Sequence, residues 1–179
     1  MNKSNIDLTR LIQDCPNFPK EGILFRDINP VFRNSYAMKY ISNEFYHRLN
    51  KFPIDGVAGI ESRGFVIAAA LSLVFDRGII LIRKAGKLPG ETIKQSYDIE
   101  YGNATMEIQK DAVKKGQNIV IADDLIATGG TAIAAAHLIK ELGGKVVAFA
   151  FVIELAGLGG ANKLRKMGYQ VQSLVVYQQ

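Results

Sequence analysis

Hydrophobic and polar positions along the chain sort into short, nearly unbroken apolar runs that alternate with stretches of helical periodicity. Residues 56–60 lead into 64–75, residues 118–122 into 130–142, and residues 146–154 into 160–167, with further apolar runs at 79–83 and 171–177. Strand, helix, strand repeated in this way predicts an α/β fold: a mainly parallel central sheet flanked by helices. The run 146–153 has no polar alternation, as a strand buried on both faces requires. Between Lys84 and Gln109 the pattern breaks. Gly86, Pro89 and Gly90 interrupt it, and residues 97–101 and 105–109 then flank Gly102-Asn103, which predicts a β-hairpin. A long connection of this kind inside a compact domain is usually functional or mobile.

Composition narrows the picture. The chain has 179 residues, 48% hydrophobic and 22% charged, the mixture of one folded domain spanning residues 1–179. Its longest apolar stretch, 65–75, is much shorter than the roughly 20 residues a bilayer-spanning helix needs, and Arg63 and Asp76 bracket it. No membrane partner is expected. The polar N-terminal residues 1–5 lead into helix-like sequence, so the expected compartment is the cytoplasm. Cys15 alone permits no internal disulfide, and His47 and His137 are too few to build a metal cluster, so no protein-held metal is expected. The net charge of +5 favours anionic partners, but the basic residues are dispersed and lack interleaved aromatics. A small phosphorylated ligand suits that charge better than a nucleic acid.

The most informative stretch runs Val120-Ile121-Ala122-Asp123-Asp124-Leu125-Ile126-Ala127-Thr128-Gly129-Gly130-Thr131. An apolar strand ends in two carboxylates and passes through a glycine turn into a helix, the place where open α/β sheets bind ligands. Gly129 and Gly130 let the backbone approach a phosphate, the helix N-terminus adds positive potential, and Thr128 and Thr131 add hydroxyl donors. Asp123 and Asp124 accept hydrogen bonds only, so they suit the vicinal hydroxyls of a ribose. The glycines and threonines taken alone would equally describe a helix cap beside a solvated turn. No Gly-x-x-x-x-Gly-Lys-Ser/Thr sequence occurs, which disfavours a P-loop. Gly157-Leu158-Gly159-Gly160-Ala161-Asn162 approaches a dinucleotide fingerprint, but Asn162 stands at the third glycine position and the chain ends too soon, so it reads as a turn.

The 120–131 stretch resembles the motif with which type I phosphoribosyltransferases bind phosphoribosyl pyrophosphate (PRPP). Four further stretches resemble the adenine phosphoribosyltransferase family: Phe18-Pro19-Lys20-Glu21-Gly22-Ile23-Leu24-Phe25-Arg26-Asp27-Ile28, Glu61-Ser62-Arg63-Gly64-Phe65, Ile82-Arg83-Lys84-Ala85-Gly86-Lys87-Leu88-Pro89-Gly90 and Tyr97-Asp98-Ile99-Glu100-Tyr101-Gly102. The resemblance implies a type I phosphoribosyltransferase fold with a short N-terminal hood and a flexible β-hairpin lid. It implies transfer of 5-phosphoribosyl from PRPP to adenine, giving AMP and pyrophosphate in purine salvage, with magnesium held mainly by PRPP and a homodimeric assembly.

Residue by residue, it implies that Asp123, Asp124, Ala127, Thr128, Gly129, Gly130 and Thr131 hold the ribose 5-phosphate. Glu61, Ser62, Arg63 and Gly64 hold the pyrophosphate, although Ser62 by itself could be a helix cap beside a solvated arginine. Arg83, Lys84 and Lys87 belong to the lid, with Arg83 able to reach a neighbouring subunit's pyrophosphate; their spacing alone would suit a solvated charged loop. Phe25 and Leu155 sandwich adenine while main-chain groups of Leu24 and Arg26, just ahead of the first strand, read its edge. Glu100 is the candidate proton partner, or otherwise an exposed hairpin carboxylate, and Tyr101 closes over the site. The competing readings are a non-catalytic purine-sensing regulator on the same fold, which would carry an added DNA-binding domain, and a transferase for orotate, xanthine or hypoxanthine.

Overall fold

The computed structural model describes residues 6–99 and 102–178. Two short strands, β1 (Gln13–Pro16) and β2 (Leu24–Asp27), form an antiparallel pair of their own near the N-terminus. The short helix α1 (Asn29–Phe32) and α2 (Ser35–Leu49) follow, and Asn34 caps α2 by accepting from the N–H groups of Tyr36 and Ala37. The chain then runs through β3 (Gly56–Ile60), α3 (Gly64–Phe75), β4 (Ile79–Lys84), β5 (Thr92–Ile99), β6 (Gly102–Gln109) and β7 (Asn118–Ile126). It finishes with α4 (Gly130–Glu141), β8 (Lys145–Leu155), α5 (Gly160–Lys166) and β9 (Val171–Tyr177).

The main sheet has the order β5-β6-β4-β3-β7-β8-β9. The five strands from β4 to β9 along that order run parallel, and β6 is antiparallel to both β4 and β5. Side chains of the central strands alternate between two buried clusters. Val57, Val120, Ala122, Ala148 and Ala150 face α2 and α3, packing with Ile41, Phe45, Ile67 and Leu71. Ala58, Ile119, Ile121, Phe149 and Phe151 face α4 and α5, packing with Ala135, Leu138, Ile139 and Leu164. A strand read on both faces by apolar helices has no polar side to show, which explains the unbroken apolar runs.

Three expectations are revised. The carboxylates Asp123 and Asp124 lie within β7, which continues to Ile126 because Leu125 and Ile126 keep pairing with Ile153 and Glu154 of β8. Residues 24–26 do not precede the first strand; they form β2, opposite Pro16, Cys15 and Asp14. The hairpin strand β5 begins at Thr92, and Gly102 and Asn103 lie within β6, paired with Ile99 and Asp98, so they are strand rather than turn. This hairpin is the edge of the main sheet, joined to β4 through Arg83–Glu107 and Lys84–Met106 pairs.

The strand order places the site. From β3 the chain moves outward to β4, then returns on the other side of β3 as β7. The connections leaving β3 and β7 therefore part, α3 to one face and α4 to the other, and open a crevice at their carboxyl ends. Close approach of α3 to β3 depends on Gly59, where a Cβ would lie 2.7 Å from Ala68 Cβ and 3.1 Å from Gly64 O. Gly59→Ala is expected to overpack this contact at a cost of about 1–3 kcal/mol, read as a fall of several degrees in the thermal midpoint. An unchanged midpoint would show that α3 can shift freely.

Candidate active site

The loop from β7 into α4 turns at Gly129, whose φ of +86° is left-handed and favours glycine. Gly129, not Thr128, is the N-cap residue of α4, and no side chain caps that end. The first N–H groups of α4 thus lack the usual capping acceptor, the condition in which a helix N-terminus receives an anion. Ala127, Thr128, Gly129, Gly130 and Thr131 line a small hollow of about 120 Å³ at this end, beside Asp123. The Thr131 hydroxyl donates to the Tyr97 hydroxyl at 3.1 Å, tying the β5–β6 hairpin to the loop. The sequence does not mark Tyr97 as a site residue, because a half-buried aromatic on a hairpin gives no sign of its partner.

A larger cleft of about 380 Å³ adjoins this hollow, lined by Glu61, Ser62, Arg63, Lys84, Asp123 and Asp124 among others. It is within the range of small-ligand sites. Asp124 is buried, and Arg63 Nε lies 2.7 Å from its Oδ2. The Arg63 N–H is not aimed along that line, so the contact is an ion pair, and Oδ2 is left without a hydrogen-bond donor. Asp123 keeps an opening to the cleft but is enclosed on its other sides, and its Oδ1 accepts from the Asp124 N–H at 2.8 Å. Burial first, and then the neighbouring Asp124 charge, push the Asp123 carboxyl well above the usual aspartate range. Gly64 begins α3 directly against this strand, where a Cβ would meet Asp123 Oδ1 at 2.7 Å and Ala122 O at 2.9 Å. No larger residue would let the loop 61–64 sit beside the carboxylates.

Glu61 turns away from the role of anion ligand. Its Oε2 accepts from Arg83 Nε at 3.1 Å and from the Lys84 N–H at 3.0 Å. Burial pushes this carboxyl up, but those donors outweigh it and hold it below the ordinary glutamate range. Arg83 also donates to Lys87 O at 2.8 Å, so its guanidinium is taken up within its own chain, while Lys84 and Lys87 are exposed. Beneath them sits Glu107, 1% exposed, whose Oε1 accepts from the Lys87 and Leu88 N–H groups, each at 2.8 Å. Burial raises its carboxyl, yet the backbone donors of Leu88, Gly86 and Lys87 together bring it below the usual value. Alternation with the core residues Met106 and Ile108 puts Glu107 on the opposite, polar-reading face of β6, so the sequence gives no sign that it is buried. The backbone it holds comes from residues 86–88, a distance the sequence does not reveal.

On the far side of the cleft, Phe25 of β2 lies under the Arg63 guanidinium, 5.1 Å from centroid to carbon, and edge-on to Phe18 at 5.1 Å. The N-terminal strands therefore reach the same cleft as the loop 61–64. The Arg26 side chain is occupied by Asp14 and by the Tyr177 ring, 4.0 Å away, which leaves only its main chain for a ligand. Leu24 is exposed and Leu155, at the end of β8, is half-buried. Glu100 and Tyr101 lie outside the described residues. Among the described residues no cluster of three or more His, Cys, Asp or Glu side chains could hold a metal, and no helix is long and apolar enough to cross a membrane.

Comparison with known proteins gives a consistent picture. The phosphoribosyl transferase domain model matches residues 37–176. An adenine phosphoribosyltransferase of Nitrosopumilus maritimus is 52% identical over 172 residues, covering 96% of this chain and 100% of that protein. The crystal structure of adenine phosphoribosyltransferase from Thermoanaerobacter pseudethanolicus superposes with a TM-score of 0.91 at 42% identity, covering 95% of this chain and 98% of that one. The Saccharomyces cerevisiae enzyme, crystallised with adenine and an imino-altritol bisphosphate, gives 0.86 at 40% identity, covering 93% of this chain and 96% of that one.

Two expectations follow from the charges in the cleft. The raised Asp123 carboxyl holds its proton to a higher pH than an unfolded aspartate, so stability falls as pH rises from the ordinary aspartate range through the folded value. Asp123→Asn removes this penalty and is expected to raise the thermal midpoint at neutral pH by a few degrees, at roughly 2–4 °C per kcal/mol. The gain should vanish below about pH 4, where both states are protonated; a destabilised variant at neutral pH would contradict the assignment. Glu107→Ala strips a charged acceptor from residues 86–88, interactions worth about 1.5–3 kcal/mol each when made to a charge, and should accelerate amide exchange at Lys87 and Leu88. Because the folded Glu107 carboxyl is lowered, wild-type protection should persist at pH values below the ordinary glutamate range and fail only as pH falls through the lowered value.

Proposed function

The chain belongs to the phosphoribosyl transferase domain family and, within it, to the adenine phosphoribosyltransferases, and on that footing we propose that it transfers 5-phosphoribosyl from PRPP to adenine, forming AMP and pyrophosphate. The observation that carries this reading is the buried Asp124 Oδ2, which has no hydrogen-bond donor and sits one loop away from an uncapped helix N-terminus. A carboxylate oxygen awaiting a donor beside an anion site matches a ribose diol joined to a 5-phosphate. Thr128, Gly129, Gly130 and Thr131 would hold the phosphate, and Asp123 and Asp124 the ribose hydroxyls.

The reaction moves an electron pair from an adenine ring nitrogen to the anomeric carbon as the bond to pyrophosphate breaks and its pair leaves with the oxygen. Negative charge grows on the leaving group, and Arg63, the N–H groups of Ser62 and Gly64, and the exposed Lys84 and Lys87 would meet it as preorganised positive partners. Magnesium, if carried in by PRPP, would neutralise part of that charge, and Asp123 and Asp124 would suit it through ribose oxygens or water, Glu61 of the same cleft being engaged by Arg83. Phe25 and Leu155 would flank the adenine ring. The Arg26 side chain is committed elsewhere, and β2 is paired along one edge only, so its other edge offers main-chain groups at Leu24 and Arg26 to read the base. Glu100 on the hairpin would take the proton released from the ring nitrogen, with Tyr101 closing beside it.

A homodimer is supported by apolar side chains left exposed on α3 and β4, among them Leu73 at 82%, Val66, Ile79 and Leu81. Arg83 lies next to the last residue of that same strand, so a partner docked there would lie near it; to act on the partner's pyrophosphate it would have to exchange Glu61 for the anion. We place the enzyme in the cytoplasm, working on small molecules and not on nucleic acid.

Base choice tests the proposal. Adenine presents a donor at its six-position and an acceptor at the adjacent ring nitrogen, to be met by a main-chain carbonyl and N–H. Hypoxanthine reverses both. A site built on buried polar partners discriminates by about 10⁴ to 10⁵ against such an analogue. The ratio of kcat/KM for adenine over hypoxanthine at saturating PRPP should reach that order. A ratio near one, or a preference for hypoxanthine, overturns the adenine assignment and leaves the PRPP site standing.

A further inference from the structure

The glycine-rich segment Gly157-Leu158-Gly159-Gly160-Ala161-Asn162, which reads as a turn, packs beneath the phosphate loop. Gly159, with a φ of +74°, opens α5, and the buried Gly160 N–H donates to Ala127 O at 3.0 Å. A Cβ at Gly160 would stand 2.3 Å from Ala127 O, 2.6 Å from Gly129 N and 2.7 Å from Thr128 C. All three are backbone atoms of the loop, so no side-chain movement could make room. One turn further on, Lys163 Nζ donates to Thr128 O at 3.2 Å.

The support is itself fixed. Arg165 of α5 donates from both terminal nitrogens to Glu154, at 2.9 and 2.8 Å, and the buried Glu154 also accepts from Ser173 Oγ at 2.7 Å. The hydrogen bond from Arg165 outweighs burial and holds the Glu154 carboxyl below its usual range. Ala161 and Leu164 sink into the core cluster shared with α4. Thus α5 is tied to β8 and β9 independently of the loop it touches.

We propose that Gly160, seconded by Lys163, is a positioning residue for phosphate binding: it draws the Ala127 and Thr128 carbonyls toward α5 and so leaves the loop's N–H groups to face the anion. A peptide free to flip would turn a carbonyl oxygen, a partial negative charge, toward the phosphate. Two donors on α5 hold both carbonyls on the opposite side before any ligand arrives, so the loop binds without first reordering. The inference rests on the reading of residues 127–131 as the 5-phosphate site and adds the element that shapes it.

The test compares two ligands of the same protein by titration calorimetry. Ribose 5-phosphate probes the loop 127–131, and inorganic pyrophosphate probes the separate loop 61–64. Gly160→Ala is expected to weaken ribose 5-phosphate by about tenfold or more and to leave pyrophosphate within about twofold. Lys163→Met should weaken ribose 5-phosphate by roughly threefold, and Lys163→Arg, which keeps a donor, should restore it. If Gly160→Ala fails to fold, the Lys163 pair decides on the same two measurements. Unchanged ribose 5-phosphate affinity in the variants, or equal loss of both ligands, overturns the positioning role. Wild-type protein that binds pyrophosphate but not ribose 5-phosphate overturns the phosphate-site reading itself, a result visible before any variant is made.

Discussion

The contact on which the site depends is the ion pair between Arg63 and Asp124. It joins the loop that leaves β3 to the middle of β7, the two strands whose connections part to opposite faces of the sheet. An arginine beside a buried carboxylate ordinarily neutralises it, and a well-aimed pair would saturate both groups. Here the geometry is off line, and Asp124 Oδ2 stays without a donor. Asp123 next to it is pushed toward its protonated form by burial and by Asp124. The crevice therefore stores unsatisfied acceptors at the place where the proposed substrate brings hydroxyl donors. Groups that cost stability in the free protein are the groups a ligand would satisfy.

Around that contact, each loop is held by hydrogen bonds to a residue from another segment of the chain. Glu61 holds Arg83 and the N–H of Lys84, Glu107 holds the backbone of residues 87 and 88, and α5 holds the backbone of residues 127 and 128. Two of these supports are carboxylates lowered by the donors they accept, so they remain charged through the neutral range and keep their grip. The loops themselves are glycine-punctuated and carry few apolar anchors. Their shape is imposed by hydrogen bonds to charged acceptors and by a close glycine contact rather than by burial of their own side chains. Precision in a binding site usually comes from such supporting groups.

Legibility followed the range of the interaction. Residues 56–60, 118–122 and 146–154 declared themselves as buried strands because an apolar run on a two-faced sheet needs no alternation, and the glycine turn that follows 118–126 was legible as a candidate phosphate loop because its chemistry is contained in adjacent residues. The β5–β6 hairpin was legible as a hairpin but not in register, since pairing through Gly102 depends on β6 also serving β4. The two N-terminal strands were missed as strands. Short and isolated, they show no period long enough to read, and their pairing is visible only in the fold.

The sequence by itself determined the α/β layering, the family resemblance, the two candidate anion loops and the candidate acceptors Asp123 and Asp124, because each is written in contiguous residues. Only the tertiary structure decided how these parts address one another. It set Glu61 on Arg83, placed Glu107 under the backbone of residues 87 and 88, joined Tyr97 to Thr131, and brought Gly160 against a loop some thirty positions earlier in the chain. The physical reason is that hydrogen-bond direction and van der Waals contact act over a few ångströms in space. Chain separation carries no record of which distant residues the sheet order will bring within that reach.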